Sequence, residues 1–270
     1  MQWDVAADTH RGLVRPTNED SFRLSRERNL FVLSDGLGGA AKGEVASAIA
    51  VETLIGAASQ DALSSLGGHS SARPEMSRHM RSLVSAIELA NRKIHEGSLR
   101  DPEARGMGAT IVAARISGTR LALAHVGDSR AYLFRANTLE QLTADHSLVA
   151  EQVRRGLMTH QQAAVSEMQS VLTRALGIDE EVEVDADEIE LFPNDSLLLC
   201  SDGLTRMVPE SEIAGILAQA PNVRMAAERL VQRANESGGQ DNVTVIVVRG
   251  SEPPKGWLGR FFPWFCSNLV

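Results

Sequence analysis

The tetrapeptide Ser-Asp-Gly-Leu occurs twice, at Ser34–Leu37 and Ser201–Leu204, each time closing an apolar run, "FVL" in the first case and "LLLC" in the second. An Asp-Gly pair after a strand is by itself only a turn signal, because Asp bonds its own backbone and Gly accepts positive φ. Two further acids hold comparable places: Asp128 follows "LALAHVG" and Asp241 precedes "NVTVIVV". Asp35, Asp128, Asp202 and Asp241 thus stand at the ends of otherwise apolar strands. Gathered into one cleft, they would repel at prohibitive cost unless paired or neutralised. Divalent cations neutralise them. The donors are oxygens, with no Cys/His set at zinc spacing, so the expected ion is hard, Mg2+ or Mn2+. A glycine after the aspartate, such as Gly36, leaves its carbonyl open to such an ion, so the repeated corner reads as half of a metal cage presented twice. The stretch "RGLVRPTNEDS" adds Arg15, Asn18, Glu19 and Asp20. One reading is a solvated charged turn; the other is a guanidinium fork for phosphate oxygens beside carboxylates that hold water.

These acids need a scaffold, and the chain supplies short β-rich runs: "WDVAAD", "NLFVLSD", "ATIVAARI", "RLALAHVGD", "AYLFR", "DSLLLCSD" and "NVTVIVV". Apolar residues at three- and four-residue spacing predict helices over Lys42–Ser59 and Met76–His95, and two more over Pro209–Gln219 and Val223–Asn235. Strands, a helix pair, strands, a second helix pair and a last strand are the order of sheet layers with helices outside. The polar stretch 147–171 reads as two short helices around Gly156, an insertion beside the sheets.

At 270 residues the chain can bury a sizeable core in one domain, and its composition, 43% hydrophobic and 23% charged, is ordinary for a globular protein. A net charge of -8 disfavours nucleic acid and anionic membrane as partners, so a phosphate-bearing ligand must meet local cations. Two cysteines, Cys200 and Cys266, give no disulfide framework, and neither a signal pattern nor an apolar stretch of spanning length is present; a cytoplasmic protein is expected.

Taken in order, "RGLVRPTNED", "VLSDGLGG", "GMGAT", "HVGDSR", "LTADHS", "LTRALG", "LLLCSDGLT" and "GGQDNVT" resemble the metal-dependent type 2C (PPM) family of protein Ser/Thr phosphatases, in its bacterial form, from Val5 to Val248. The resemblance implies an α+β fold: a central β-sandwich of two antiparallel sheets flanked by pairs of helices, four layers deep, as a catalytic domain over residues 1–250. A mobile flap would occupy 147–171 and an aromatic tail 251–270. It implies that Asp35 bridges two ions with the Gly36 carbonyl on one, that Asp202 and Asp241 bind the other, and that Asp128 shares a third, weaker ion with Asp202. Glu19 would orient water on the metal, Asp20 would support it, and Arg15 would bind the phosphate. The activity implied is hydrolysis of phosphoserine and phosphothreonine in proteins by a hydroxide bridging two Mn2+ or Mg2+ ions about 3.5 to 4 Å apart, in opposition to a eukaryotic-like Ser/Thr kinase. Arg15, Asp35 and Asp202 are the catalytic residues of that expectation.

Leu37 stands where many eukaryotic relatives carry a histidine proposed as general acid. The proton for the leaving alkoxide is then expected from water on the metal, ordered by Asp128, with His125 and His146 read as core or turn hydrogen-bonders. A degenerate, non-enzymatic relative would lack the metal carboxylates, which are present. An aspartyl phosphotransferase needs a second acid two residues from its nucleophile, where Leu33 and Leu37 stand. Relatives specialised for phosphorylated anti-anti-sigma-type regulators usually lack the phosphate-binding arginine, which Arg15 supplies. The tail "WLGRFFPWFCSNLV" holds five of the chain's eleven aromatic residues, and either folds back on its own domain or docks on a partner or membrane.

Overall fold

In the computed structural model, which describes residues 1–37, 42–59 and 76–251, most of the apolar runs become strands buried on both faces. In chain order the elements are β1 (Gln2–His10), β2 (Ser21–Ser25), β3 (Leu30–Ser34), β4 (Gly36–Leu37), α1 (Gly43–Ser59), α2 (Arg78–Arg100), β5 (Gly108–Ala109), β6 (Ile111–Ser117), β7 (Arg120–Val126), β8 (Arg130–Arg135) and β9 (Thr138–Gln141). There follow α3 (Leu148–Arg154), α4 (His160–Ala163), β10 (Asp185–Glu190), β11 (Ser196–Cys200), α5 (Asp202–Thr205), α6 (Glu210–Gln219), α7 (Val223–Glu236) and β12 (Val243–Ser251). One antiparallel sheet has the order β1-β12-β11-β8-β9 and the other β10-β7-β6-β3-β2; β4 and β5 form a small ribbon.

Period-2 alternation separates three hydrophobic layers. Leu197 and Leu199 of β11, Ile246 and Val248 of β12, and Phe31 and Leu33 of β3 meet between the sheets. The alternate residues Leu198, Cys200, Val245 and Val247 pack outward under α6 and α7. Leu30, Val32, Ala113, Ala122 and Ala124 pack outward under α1 and α2. The result is the expected α+β sandwich, helices outside two antiparallel sheets. A run buried on both faces is continuously apolar, which explains "LLLC" and "VTVIVV".

The helices start where side chains can satisfy their free N–H groups. Ser77 accepts from Met80 N, Asn222 from Met225 N and Ser147 from Ala150 N. α2 begins at Arg78 and runs on to Arg100, five residues beyond the periodicity estimate. The two short helices of the 147–171 stretch are α3 and α4, with Gly156 at φ 69° between them.

Three strands were not legible as apolar runs: β2 ("SFRLS"), β9 ("TLEQ") and β10 ("DADEIE"). All are edges of their sheets, where charge rather than apolarity protects the open side. No helix among the described residues is long and apolar enough to cross a membrane. The C-terminal aromatic segment and Cys266 lie outside the described residues.

The registers fix which loops meet. His10 at the end of β1 pairs with Val243 at the start of β12, Cys200 at the end of β11 with Arg130 at the start of β8, and Ser34 at the end of β3 with Ser21 at the start of β2. Every loop carrying a candidate acid therefore emerges at one end of the sandwich.

Leu199 lies wholly buried between the sheets. Leu199→Ala is expected to lower the unfolding free energy by about 2–5 kcal/mol. Chemical denaturation checks this, and a loss below about 1 kcal/mol would show that the sheets are not tightly packed there.

Candidate active site

The loop from β1 to β2 is held by one residue that its sequence context does not single out. Asn242 donates from Nδ2 to the carbonyls of Arg11 and Thr17 and accepts from Glu19 N at 2.7 Å. Three satisfied bonds on a buried amide set the loop's path, so Glu19 and Asp20 are delivered at a fixed height above the sheets. The Glu19 carbonyl then receives Gly36 N at 3.2 Å and Ser47 Oγ at 2.6 Å, tying the loop to the first acidic corner and to α1.

Asp20 is enclosed by hydroxyls. Its Oδ2 accepts from Ser201 Oγ at 2.8 Å and Thr244 Oγ1 at 2.6 Å, and Thr244 in turn shares a 2.7 Å bond with Thr9. Asn18, one of the polar residues of the N-terminal motif, donates to that Thr9 hydroxyl at 2.9 Å. Thr244 is the polar residue inside the apolar run of β12, and this is its purpose.

Asp35 leaves β3 with its N–H on Thr110 Oγ1 at 3.0 Å and its carbonyl accepting from Thr110 N at 2.8 Å. Gly36 comes next in close backbone contact: a Cβ there would sit 2.3 Å from the Gly43 carbonyl oxygen. Asp128 is set by Gly127, whose φ of +103° and 2.7 Å clearance to the Thr110 Cβ admit no side chain. Thr110 thus braces two of the acids, and it also shares a 2.7 Å bond with Ser129.

The two Ser-Asp-Gly-Leu corners do not fold alike. The first continues as β4, paired Gly36 with Ala109, whereas the second turns at once into α5. The backbone partner available after each corner, a strand in one case and a helical turn in the other, decides its shape. Asp202 opens α5, and Arg206 at its end reaches back to Asp202 Oδ2 at 2.5 Å and to Asp128 at 3.8 Å. Arg15 reaches Asp241 Oδ2 at 2.8 Å with its side chain half-exposed.

The electrostatics show how close the acids are. Burial, then repulsion from Asp20, Asp202, Asp128 and Asp241, holds the Asp35 carboxyl well above its ordinary range. Burial followed by the Asp202 charge pushes Asp128 up to about 8, against relief from Arg206. Asp20 is pushed up to about 7 by burial in spite of its two hydroxyl donors, and Asp202 is raised by burial although Arg206 opposes it. Glu19 is raised by burial and by Glu44. Among the described residues Arg15 and Arg206 are the cations paired with these acids, while Arg130 is spent in a bidentate pair with Asp145, at 2.7 and 2.9 Å, and on Tyr132.

Two oxygens in this cleft, Asp20 Oδ1 and Asp202 Oδ1, are buried without any hydrogen-bond partner. Uncompensated anionic oxygens of this kind are costly unless a cation meets them. The donor set is carboxylate, carbonyl and hydroxyl, which fits hard divalent cations. Asp35, Asp202, Asp241, Asp128, Glu19, Asp20 and the Gly36 carbonyl are the groups that could hold them.

His125 and His146 lie elsewhere in the design. The rings stack at 4.8 Å; His146 Nδ1 accepts from Gly127 N and its Nε2 lies 3.2 Å from Asp185, while His125 Nε2 donates to the Ala144 carbonyl. Together with Asp185 the two imidazoles are close enough to share an ion, but Arg174 already bonds Asp185 at 2.6 Å and lies 3.1 Å from His146 Nε2. Burial lowers both imidazoles, His146 to about 4, so they are neutral at physiological pH and are structural hydrogen-bonders.

This network sits at the neck of the 147–171 stretch. Leu148 N donates to Val171 O and Thr173 N to His146 O, bringing both ends together. Between the stretch and the acids lies a cavity of about 720 Å3 lined by Asp128, Asp202, Arg206, Val149, Val153 and His160.

The family model for protein phosphatase 2C matches residues 10–243. The serine/threonine phosphatase stp of Listeria welshimeri is 38% identical over 92% of this chain and 96% of its own length. The serine/threonine protein phosphatase PstP of Mycobacterium tuberculosis is 38% identical over 90% of this chain and 44% of that protein. Its crystal structure superposes with a TM-score of 0.82 at 36% identity, covering 93% of this chain and all of the solved one. The PstP catalytic domain in complex with two manganese ions gives 0.79 at 35% identity, over 93% and 99% of the two chains. With the match taking in every loop that carries a candidate acid, the chain belongs to the protein phosphatase 2C family, as an enzyme of the serine/threonine phosphatase class.

Proposed function

We propose that the cleft hydrolyses phosphoserine and phosphothreonine in proteins with two divalent cations, Mn2+ or Mg2+, held by Asp35, the Gly36 carbonyl, Asp202 and Asp241. The observation that carries this reading is the convergence of buried acids around two orphaned oxygens, Asp20 Oδ1 and Asp202 Oδ1. Bound there, such ions supply an activated water near neutral pH and Lewis-acid contacts to the phosphoryl oxygens.

The chain's own groups do the rest. Asp35 would hold the ions, and its backbone is locked on both sides by Thr110, so its carboxylate is placed before substrate arrives. Glu19 and Asp20 orient the attacking water; Asp20 keeps its free oxygen for that purpose because two hydroxyls occupy the other. Arg15 has one of its five N–H donors on Asp241, which leaves the fork able to grip phosphate oxygens and to offset charge as the leaving bond stretches. Asp128, beside Asp202, marks the place that a third, weaker ion would take. No side chain acts as nucleophile, and neither buried histidine protonates the leaving group.

A phosphomonoesterase acting on phosphoproteins reverses a Ser/Thr kinase, so a cognate kinase and its substrates are the partners this reading requires, in a cytoplasmic setting. Residues 1–250 form the catalytic unit in this proposal, with 147–171 as a flap over the cavity.

Chelation is expected to abolish phosphate release from a phosphothreonine peptide, and Mn2+ to restore it. Asp35→Asn is expected to remove most activity and yet, in chelator at pH 8, to raise the melting temperature by about 3–6 °C, because one of several repelling buried charges is gone. Full activity in that variant defeats the assignment. Arg15→Ala is expected to raise KM by about tenfold and to lower kcat less, as uniform phosphate binding requires; unchanged kinetics contradict its role.

Raised carboxyls set the sign of the pH dependence. Asp20 and Asp128 titrate from 3.8 when unfolded to about 7 and about 8 when folded, so the metal-free fold binds extra protons in between. Its stability therefore falls as pH rises from about 4 to about 8, and the same protons compete with cations. Manganese affinity by calorimetry should rise from pH 6 to pH 8.5, with proton release at pH 6 that fades by pH 8.5. A flat profile contradicts it.

A further inference from the structure

Arg206 stands among the acids without having been asked for by any step of the reaction. It comes one helical turn after Asp202, so α5, a single turn, carries both the acid and a counter-ion on the same face. Its backbone N–H closes that turn on the Asp202 carbonyl at 2.9 Å, which fixes the guanidinium's origin. Its side chain is only 24% exposed, and it spans Asp202 Oδ2 at 2.5 Å and Asp128 Oδ2 at 3.8 Å. These two acids come from different places in the chain, one after β11 and the other between β7 and β8. No other cation pairs with either one among the described residues. Among the described residues Arg206 makes its ion pairs with Asp202 and Asp128 and none with Asp35, Asp20 or Asp241, so its contacts lie on the Asp128–Asp202 side of the cleft.

We infer that Arg206 is a built-in cation occupying the place between Asp128 and Asp202 that a third divalent ion would take, and that it limits this enzyme to two ions. The inference rests on the proposed two-metal reading and concerns only the chain's own charge beside it. A guanidinium and a dication cannot both lie against the same pair of oxygens, since each repels the other at contact distance and the acids supply charge for only one. The fixed cation also keeps Asp202 aimed when ions are absent, because its Oδ2 is held by Arg206 while its Oδ1 stays free for the metal side. Arg206 is thus a positioning residue: it touches a ligand, not the substrate. It also lines the 720 Å3 cavity beneath 147–171, so a third ion would have to displace it toward that cavity.

The test is ion stoichiometry. Wild-type protein, Arg206→Gln and Arg206→Lys are stripped with chelator, dialysed against graded MnCl2 at pH 8, and the bound metal is counted by mass spectrometry and calorimetry. Two ions are expected for the wild type and for Arg206→Lys, which keeps the charge. Three are expected for Arg206→Gln, any residual third-ion binding by the wild type being at least about tenfold weaker. The double variant Arg206→Gln with Asp128→Asn should return to two, which places the added ion at Asp128. Equal stoichiometry and affinity in wild type and Arg206→Gln overturn the inference while leaving the two-metal reading intact. Failure of the wild type to bind any manganese overturns the metal reading, and this inference with it.

Discussion

Repulsion among carboxylates in a place poor in water is the constraint on which the molecule is built. Asp128 is buried and Asp20, Asp35 and Asp202 half-buried within mutual reach, and their carboxyls are all raised, chiefly by desolvation and, except where Arg206 opposes it, by neighbouring negative charge. Left to relax, such groups would splay apart. They cannot, because each is fixed by backbone rather than by side-chain choice: Asp35 by the paired bonds to Thr110, Asp128 by the left-handed Gly127, Asp202 by the first turn of α5, and Glu19 and Asp20 by the Asn242 clamp. The cost of holding them is borne by three hydrophobic layers, and net stabilities of a few kcal/mol up to about 15 leave little to spare.

That arrangement explains why hydroxyls recur around the acids. Thr9, Ser201 and Thr244 form a chain of short bonds ending on the Asp20 carboxylate, while Thr110, bonded to Ser129, accepts from the Asp35 backbone N–H. Hydroxyls accept and donate without adding charge, so they orient a carboxylate without neutralising it. An arginine at each of those points would quench the site. Among the described residues Arg15 and Arg206 are the arginines ion-paired with these acids, and each makes its close contact with one oxygen of one acid, leaving Asp202 Oδ1 for an ion. The histidine pair shows the complementary solution: held neutral by burial, it stiffens the neck of 147–171 without altering the field of the cleft.

The site was legible wherever chemistry coincided with a break in the apolar pattern. Asp35, Asp202 and Asp241 interrupt or bound continuous hydrophobic runs, and an acid in such a place demands a reason. Helix positions were equally visible, because α2 and α7 carry strongly one-sided apolar spacing and Ser77 and Asn222 mark their starts. Residues whose role depends on a distant partner were hidden. Asn242 is unmarked in the sequence until the Arg11 and Thr17 carbonyls come within 2.9 and 2.8 Å, and so is Arg206 until Asp128 is folded beside it. β10 was invisible for the opposite reason: it is an acidic strand at a sheet edge, and its pairing with β7 is carried by backbone bonds that no side-chain pattern reports.

By itself, then, the amino-acid order determined the layers, since period-2 and period-3.6 burial are local properties of each segment, and it named the acids, since their types and places along the strands are local too. Tertiary structure alone decided the rest. Strand register brought loops separated by up to 226 residues, such as those of Arg15 and Asp241, to one end of the sandwich, and it gave two identical tetrapeptides different shapes. Charges that are far apart along a chain carry no mutual energy until backbone pairing closes the distance, so which acid keeps a free oxygen and which meets a guanidinium is a fact of the folded molecule.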